Sequence, residues 1–283
     1  MRNWLLLLIT VVILGVAAIR AERLYGDDAP AVKLPPSGTT ATAALLASPR
    51  HGEWADIALS GSDVKLHTWV SYPERADKAP VVIVIHEIFG MSDWVRSVAD
   101  QLAAEGFIAV APDLLSGFGP DGGGTESFKG DSMRAAFGKL TADELTKRLD
   151  AARDYALALP SATSKSASVG FCWGGGASFT YATRQPRLNA AVVFYGVPPA
   201  KDAMTNIACP VLGCYGKNDN RITSTVDATT KAMAELHKTY DPHIYDGAGH
   251  GFLRQQDGQN GANLKATQQA WPETIALLKK SLE

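Results

Sequence analysis

The chain lacks the means to build a disulfide scaffold: it has three cysteines in 283 residues, so one is always left over. No Cys/His spacing of the zinc type is present, and His86-Glu87 is not followed by the second histidine of a zincin motif, so no metal site is expected. Basic excess is also missing. With 27 Lys+Arg against 29 Asp+Glu the formal charge is −2, which argues against an electrostatic nucleic-acid binder. There is no internal repeat, no collagen-like or low-complexity period and no series of apolar spans. The chain does have 46% hydrophobic and 20% charged residues, the make-up of a globular protein of enzyme size.

The apolar content is unevenly placed. Trp4 to Ile19 is an uncharged run of 16 residues between Arg2 and Arg20. A signal-peptide core takes about 7–15 residues and a spanning helix about 20. Residues 1–21 therefore read equally as a signal peptide or as an N-terminal membrane anchor, with residues 4–19 as the tether in the second case. Val16-Ala17-Ala18 offers small residues for cleavage without a full Ala-x-Ala. Both readings make the protein exported (periplasmic or secreted) or membrane-anchored. Residues 22–50 are rich in Pro, Ala and Thr, with Pro30, Pro35, Pro36 and Pro49 and no helical or strand period, and are expected to form a flexible tether. The folded domain is expected to span 51–283.

That domain opens with a β-hairpin. Val64, Leu66, Thr68, Val70 and Tyr72 alternate with Lys65, His67, Trp69 and Ser71, after a turn at Ser60-Gly61-Ser62-Asp63. Val81 to Ile85 is apolar on both faces, as a central parallel strand requires. A helix capped by Ser92 follows and ends at Gly106; another begins at the capping box Thr141-Ala-Asp-Glu144. Strands are expected at Phe107–Ala111, Ala167–Phe171, Ala190–Tyr195, Val211–Tyr215 and His243–Tyr245, and helices at Ser224–Lys238 and Asn263–Leu282. The alternation predicts an α/β fold with a mostly parallel central sheet flanked by helices. Reactive groups in such folds sit on loops at the C-terminal ends of strands.

The strongest chemical signal is Gly170-Phe171-Cys172-Trp173-Gly174, between a predicted strand and a predicted helix. It is the nucleophile-elbow pattern Gly-x-Nuc-x-Gly with Cys in place of Ser, where small residues two places on either side permit a tight turn. A thiol near pKa 8.5 is only a few per cent ionised at neutral pH, and a helix N-terminus and a histidine would favour the anion. Such a nucleophile forms a thioester that water then cleaves. The partners should follow as acid, then His. Asp219 lies just past the Val211–Tyr215 strand, and His250 lies between glycines just past the last one. Glu87 ends the Val81–Ile85 strand, where an acid beside a developing oxyanion needs a reason; a carboxylate that exchanges partners can serve as the base that ionises Cys172.

Together Glu87-Ile88-Phe89-Gly90, Gly170-Phe171-Cys172-Trp173-Gly174-Gly175, Tyr215-Gly216-x-x-Asp219 and Gly249-His250-Gly251-Phe252 resemble the dienelactone hydrolase family, over roughly residues 51–283. The resemblance implies the α/β-hydrolase fold, Cys172 as nucleophile, His250 as general base and acid, and Asp219 as its orienter. It implies that Glu87 deprotonates the thiol when substrate binds, that the backbone amides of Ile88 and Trp173 form the oxyanion hole, and that Arg254 grips a substrate carboxylate. It implies no cofactor. A second gripping arginine has only Arg134 as a candidate, beside the glycine-rich 117–130 stretch, which reads as a flexible loop near the site mouth. That departure, and the N-terminal segment, set the chain apart from the soluble catabolic members.

The expected function is hydrolysis of small esters or lactones, of the carboxymethylenebutenolidase type. The alternatives are a broad short-chain carboxylesterase or thioesterase on the same machinery, and a non-catalytic tethered binding protein. The expected partner is a small-molecule substrate and not a nucleic acid; the sequence does not fix an oligomeric state. Cys209 and Cys214 flank one strand on opposite faces and are expected to be buried filling. His86 reads as a strand-end core histidine.

Overall fold

Seven consecutive residues in Ala79–Ile85 offer no polar face, so the strand they form has to be covered on both sides, and every one of them is buried. It is the third strand of the sheet in a computed structural model that describes residues 32–129 and 131–283. In chain order the elements are α1 (Ala41–Leu46), β1 (Gly52–Ala58), β2 (Lys65–Ser71), β3 (Ala79–Ile85), α2 (Asp93–Ala104), β4 (Ile108–Pro112), α3 (Ser132–Phe137) and α4 (Ala142–Leu157). They continue with β5 (Ala162–Phe171), α5 (Trp173–Ala182), β6 (Ala190–Phe194), α6 (Lys201–Met204), β7 (Val211–Gly216), α7 (Asn220–Thr223), α8 (Val226–Glu235), β8 (Tyr240–Tyr245) and α9 (Ala262–Leu282).

The strands form an eight-stranded sheet in the order β1-β2-β4-β3-β5-β6-β7-β8. β1 and β2 are the expected antiparallel hairpin, with Trp54 opposite Trp69 and Asp56 opposite His67. β2 pairs antiparallel with β4, and from β4 across to β8 every pairing is parallel. Val81, Ile83 and Ile85 share a core cluster with Leu149 of α4, Phe179 of α5 and Met233 of α8. Strand side chains alternate, so Val82 and Val84 face the other layer, where α2 and α9 lie against the sheet. Both predicted caps are in place: Ser92 accepts from Val95 N–H and Thr141 accepts from Glu144 N–H.

Two described stretches, residues 32–50 and the glycine-rich loop, differ from the sequence expectation. Residues 1–31, which hold the signal or anchor segment and the start of the tether, lie outside the described residues. The remainder of the tether is not loose: Lys33–Glu283 forms one compact unit, so the fold begins well before residue 51. Thr42 of α1 donates to Asp93 (2.6 Å), and Arg50 bonds Asp100 of α2 through two nitrogens (3.0 and 2.6 Å). Proline and alanine content reads as linker when no periodicity is visible, but these long-range bonds order the segment. The described part of the glycine-rich loop is likewise anchored through Thr125. Its amide and hydroxyl both donate to the buried Asp113 (2.7 Å each), and its hydroxyl accepts from Met91 N–H (3.1 Å). Among the described residues no helix is long and apolar enough to cross a membrane.

Candidate active site

The C-terminal ends of β3, β5, β7 and β8 bring the predicted residues together. At the end of β5 the chain must reverse within one residue to enter α5, and Cys172 takes φ 57° and ψ −118° to do so. A side chain rarely adopts that conformation, and the glycines around it show what makes it accessible. A Cβ on Gly170 would collide with the Gly174 carbonyl, and one on Gly174 with the carbonyls of Ile85 and His86. The elbow therefore packs backbone on backbone against the end of β3.

His250, five residues past β8, reaches over this turn. Its Nδ1–H donates to Asp219 Oδ2 at 2.5 Å, which leaves Nε2 to accept from the Cys172 thiol, with Sγ 3.0 Å away. Asp219 is buried at the end of the β7 loop, where its own N–H is held by the Gly216 carbonyl (3.0 Å). The backbone amides of Trp173 and Ile88 lie near enough to Cys172 to favour the thiolate. Burial outweighs them and, with the charge of Glu87, pushes the Cys172 thiol above its ordinary value. At rest Cys172 is thus predominantly a thiol at neutral pH.

Glu87 is engaged elsewhere. Its Oε2 accepts from Arg254 Nε at 2.7 Å, with the glutamate side chain 4% exposed and the arginine side chain 26%. Burial raises the Glu87 carboxyl above the usual carboxylate range, while the Arg254 charge and hydrogen bond pull it back. The Arg254 guanidinium also stacks on the exposed ring of Phe89 (4.7 Å to the centroid). His86 is fully buried; its Nε2 accepts from Leu114 N–H (3.1 Å), so Nδ1 donates to the Glu87 carbonyl (2.9 Å). Burial lowers its pKa and keeps it neutral, so it serves as a brace for the Glu87 backbone. Arg134 is exposed on α3 and is not drawn into this cluster. Cys209 and Cys214 are buried and free, and burial pushes the Cys209 thiol up to about 12.

Two residues at the site carry no sequence signal of their own. Tyr195, one residue past β6, has φ 41°, and its ring meets His250 edge-on at 5.0 Å. Its hydroxyl is buried without a hydrogen-bond partner among the described residues, close enough to Glu87 and Cys172 for both charges to raise its pKa. Position at the end of a central strand is the one feature that separates it from the core aromatics. Arg221, on α7, lies near enough to Cys172 for its charge to favour the thiolate.

A parallel-dominated sheet with a strained cysteine turn after β5, an acid after β7 and a histidine after β8 has the architecture of an α/β-hydrolase. A sequence profile of the dienelactone hydrolase family matches residues 66–282, and the chain belongs to that family. It is, by that membership, a hydrolase of ester or lactone bonds. Relatives named "Putative carboxymethylenebutenolidase" include one from Escherichia coli (strain K12), 28% identical over 74% of this chain and 80% of that protein. Another, from Saccharolobus solfataricus, is 28% identical over 80% of this chain and 98% of its own length. The crystal structure of a "Putative Dienelactone Hydrolase" from Klebsiella pneumoniae superposes with a TM-score of 0.72 at 26% identity, covering 81% of this chain and 98% of that one.

Proposed function

We propose that the protein hydrolyses small esters or lactones with Cys172 as nucleophile, through a thioester intermediate. The observation that carries this reading is the continuous contact from Asp219 through His250 to the Cys172 sulfur, at 2.5 and 3.0 Å. A substrate carboxylate takes Arg254 from Glu87, and the freed Glu87 carboxylate accepts the thiol proton. The thiolate adds to the carbonyl carbon while the amides of Ile88 and Trp173 receive the oxyanion. The C–O bond breaks, and the proton taken from the thiol, passed from Glu87 to His250, is given to the departing alkoxide; in a lactone that oxygen stays on the acyl chain. Water, deprotonated by His250, then attacks the thioester and expels the Cys172 thiolate, which takes that proton back from His250. Carboxylate-bearing lactones of the carboxymethylenebutenolide kind fit this trigger.

A second reading, a short-chain carboxylesterase or thioesterase, draws support from the exposed position of Arg134, which leaves Arg254 as the single cation beside Glu87 among the described residues. Export or membrane anchoring through residues 4–19 belongs to the same proposal. Purified protein should hydrolyse aryl acetates and lactones, and Cys172→Ala should abolish both activities. A C172A variant as fast as the parent would remove Cys172 from the mechanism. Comparing carboxylate-bearing with neutral lactones separates the two readings.

A further inference from the structure

The segment expected to be a loose linker crosses directly over the loop that carries Arg254. Pro35 is buried, and its carbonyl accepts from Gln256 Nε2 at 2.9 Å. The Pro36 carbonyl accepts from Trp94 Nε1 at 3.1 Å. Between these anchors and α1, Gly38 N–H donates to the carbonyl of Arg254 itself at 2.8 Å. Gly38 is not in the left-handed region, so backbone conformation does not demand a glycine there. Space does: a Cβ on Gly38 would lie 2.9 Å from Arg254 Cγ and 3.5 Å from Cδ, against the stem that carries the guanidinium. The other end of that side chain is the bond to Glu87. Residues 35–38 also lie outside the 66–282 span that matches the family profile.

We propose that Pro35–Gly38 is a positioning strap for Arg254, which by fixing the backbone and stem of residue 254 keeps the guanidinium on Glu87 and so sets the resting reactivity of Cys172. Gly38 and Gln256 act only through Arg254 and touch no reacting atom. The charged and titratable groups around Cys172 are His250, Glu87, Arg221 and Tyr195; those around Glu87 are Arg254, Cys172 and Tyr195. Of these, Arg254 is the one the strap holds. When Arg254 is pushed aside, Glu87 loses the partner that keeps it ionised. It then either takes up a proton or turns to accept the thiol's, and both outcomes raise the thiolate fraction. The proposal rests on the reading of Glu87 and Cys172 above for its meaning in turnover, but its readout needs no turnover.

The test is the rate of Cys172 alkylation by iodoacetamide across a pH series, followed on the Cys172 peptide by mass spectrometry, with the full chain. Gly38→Ala should raise the rate at pH 7 about threefold, equivalent to about half a pKa unit. Gln256→Ala, which removes one anchor without adding bulk, should shift it in the same direction and decides the matter if G38A does not fold. Thr42→Ala loosens α1 from Asp93, away from Arg254, and should change nothing. In a Glu87→Gln background G38A should have no effect. Unchanged rates in folded G38A and Q256A, an equal rise in T42A, or an equal rise in the E87Q background would overturn the strap's role. Esterase activity surviving in C172A would instead overturn the nucleophile assignment and leave the alkylation result standing.

Discussion

Replacing Glu87 with Gln should drive thiol reactivity and turnover in opposite directions. At rest, the Glu87 charge is the second cause, after burial, of the raised Cys172 thiol. The E87Q substitution would remove that charge and leave the Arg254 cation uncompensated nearby; the 26% exposure of the Arg254 side chain lets water solvate it. A change of about one pKa unit, or tenfold in thiolate at pH 7, is the size expected for deleting one neighbouring charge in a half-buried site. Iodoacetamide should therefore label Cys172 about ten times faster in E87Q than in the parent. Turnover should fall, because an amide cannot take the thiol proton when substrate displaces Arg254; loss of a general base costs about 100- to 10,000-fold in kcat/KM. The assays are peptide-resolved alkylation and steady-state hydrolysis of an aryl acetate and a carboxylate-bearing lactone on the same preparation. Slower alkylation together with unchanged kcat/KM would refute both roles given to Glu87.

Other outcomes are expected from the same geometry. Asp219→Asn should lower kcat by about three to four orders of magnitude with little change in KM, since an amide donating to Nδ1 holds the wrong histidine tautomer; a loss below tenfold in stopped-flow hydrolysis would contradict the 2.5 Å contact as the orienting one. Tyr195→Phe removes a buried hydroxyl that has no partner among the described residues, so urea denaturation should show a stability change within about 1 kcal/mol, and a larger loss would mean that the hydroxyl is bonded. The Glu87 carboxyl is raised in the folded state, so the native protein holds its proton more tightly than the unfolded chain does. Its contribution is fully present below the ordinary carboxylate range and is lost as pH rises through the folded value. The stability of E87Q relative to the parent should accordingly improve from pH 4 to pH 8, as read from urea midpoints; a constant difference would contradict the sign.

What the sequence made legible was local chemistry with a fixed spacing. The run from Val81 to Ile85 read as a strand covered on both faces, and the Gly170–Gly174 spacing matched a turn as tight as the one at Cys172. The order Cys172, Asp219, His250 then followed the strand ends. What it concealed depends on contacts across the chain. The 33–50 segment carries the composition of a linker, and its order comes from Trp94, Asp93, Asp100, Arg254 and Gln256, residues 50 to 221 positions away in the bonds they make. The glycine-rich loop looked free for the same reason, since the group that pins it, Asp113, precedes it at the end of β4. Tyr195 reads as one more core aromatic until its neighbours Glu87, Cys172 and His250 are placed around it.

The central claim is a thioester on Cys172, and the most direct measurement is to trap it. Full-length protein mixed with excess aryl acetate and acid-quenched within the first turnover should carry one acetyl group on the peptide that contains Cys172, released by hydroxylamine and absent from C172A. A turnover burst with no acyl group on that peptide, or an acyl group found on another residue, would contradict the account.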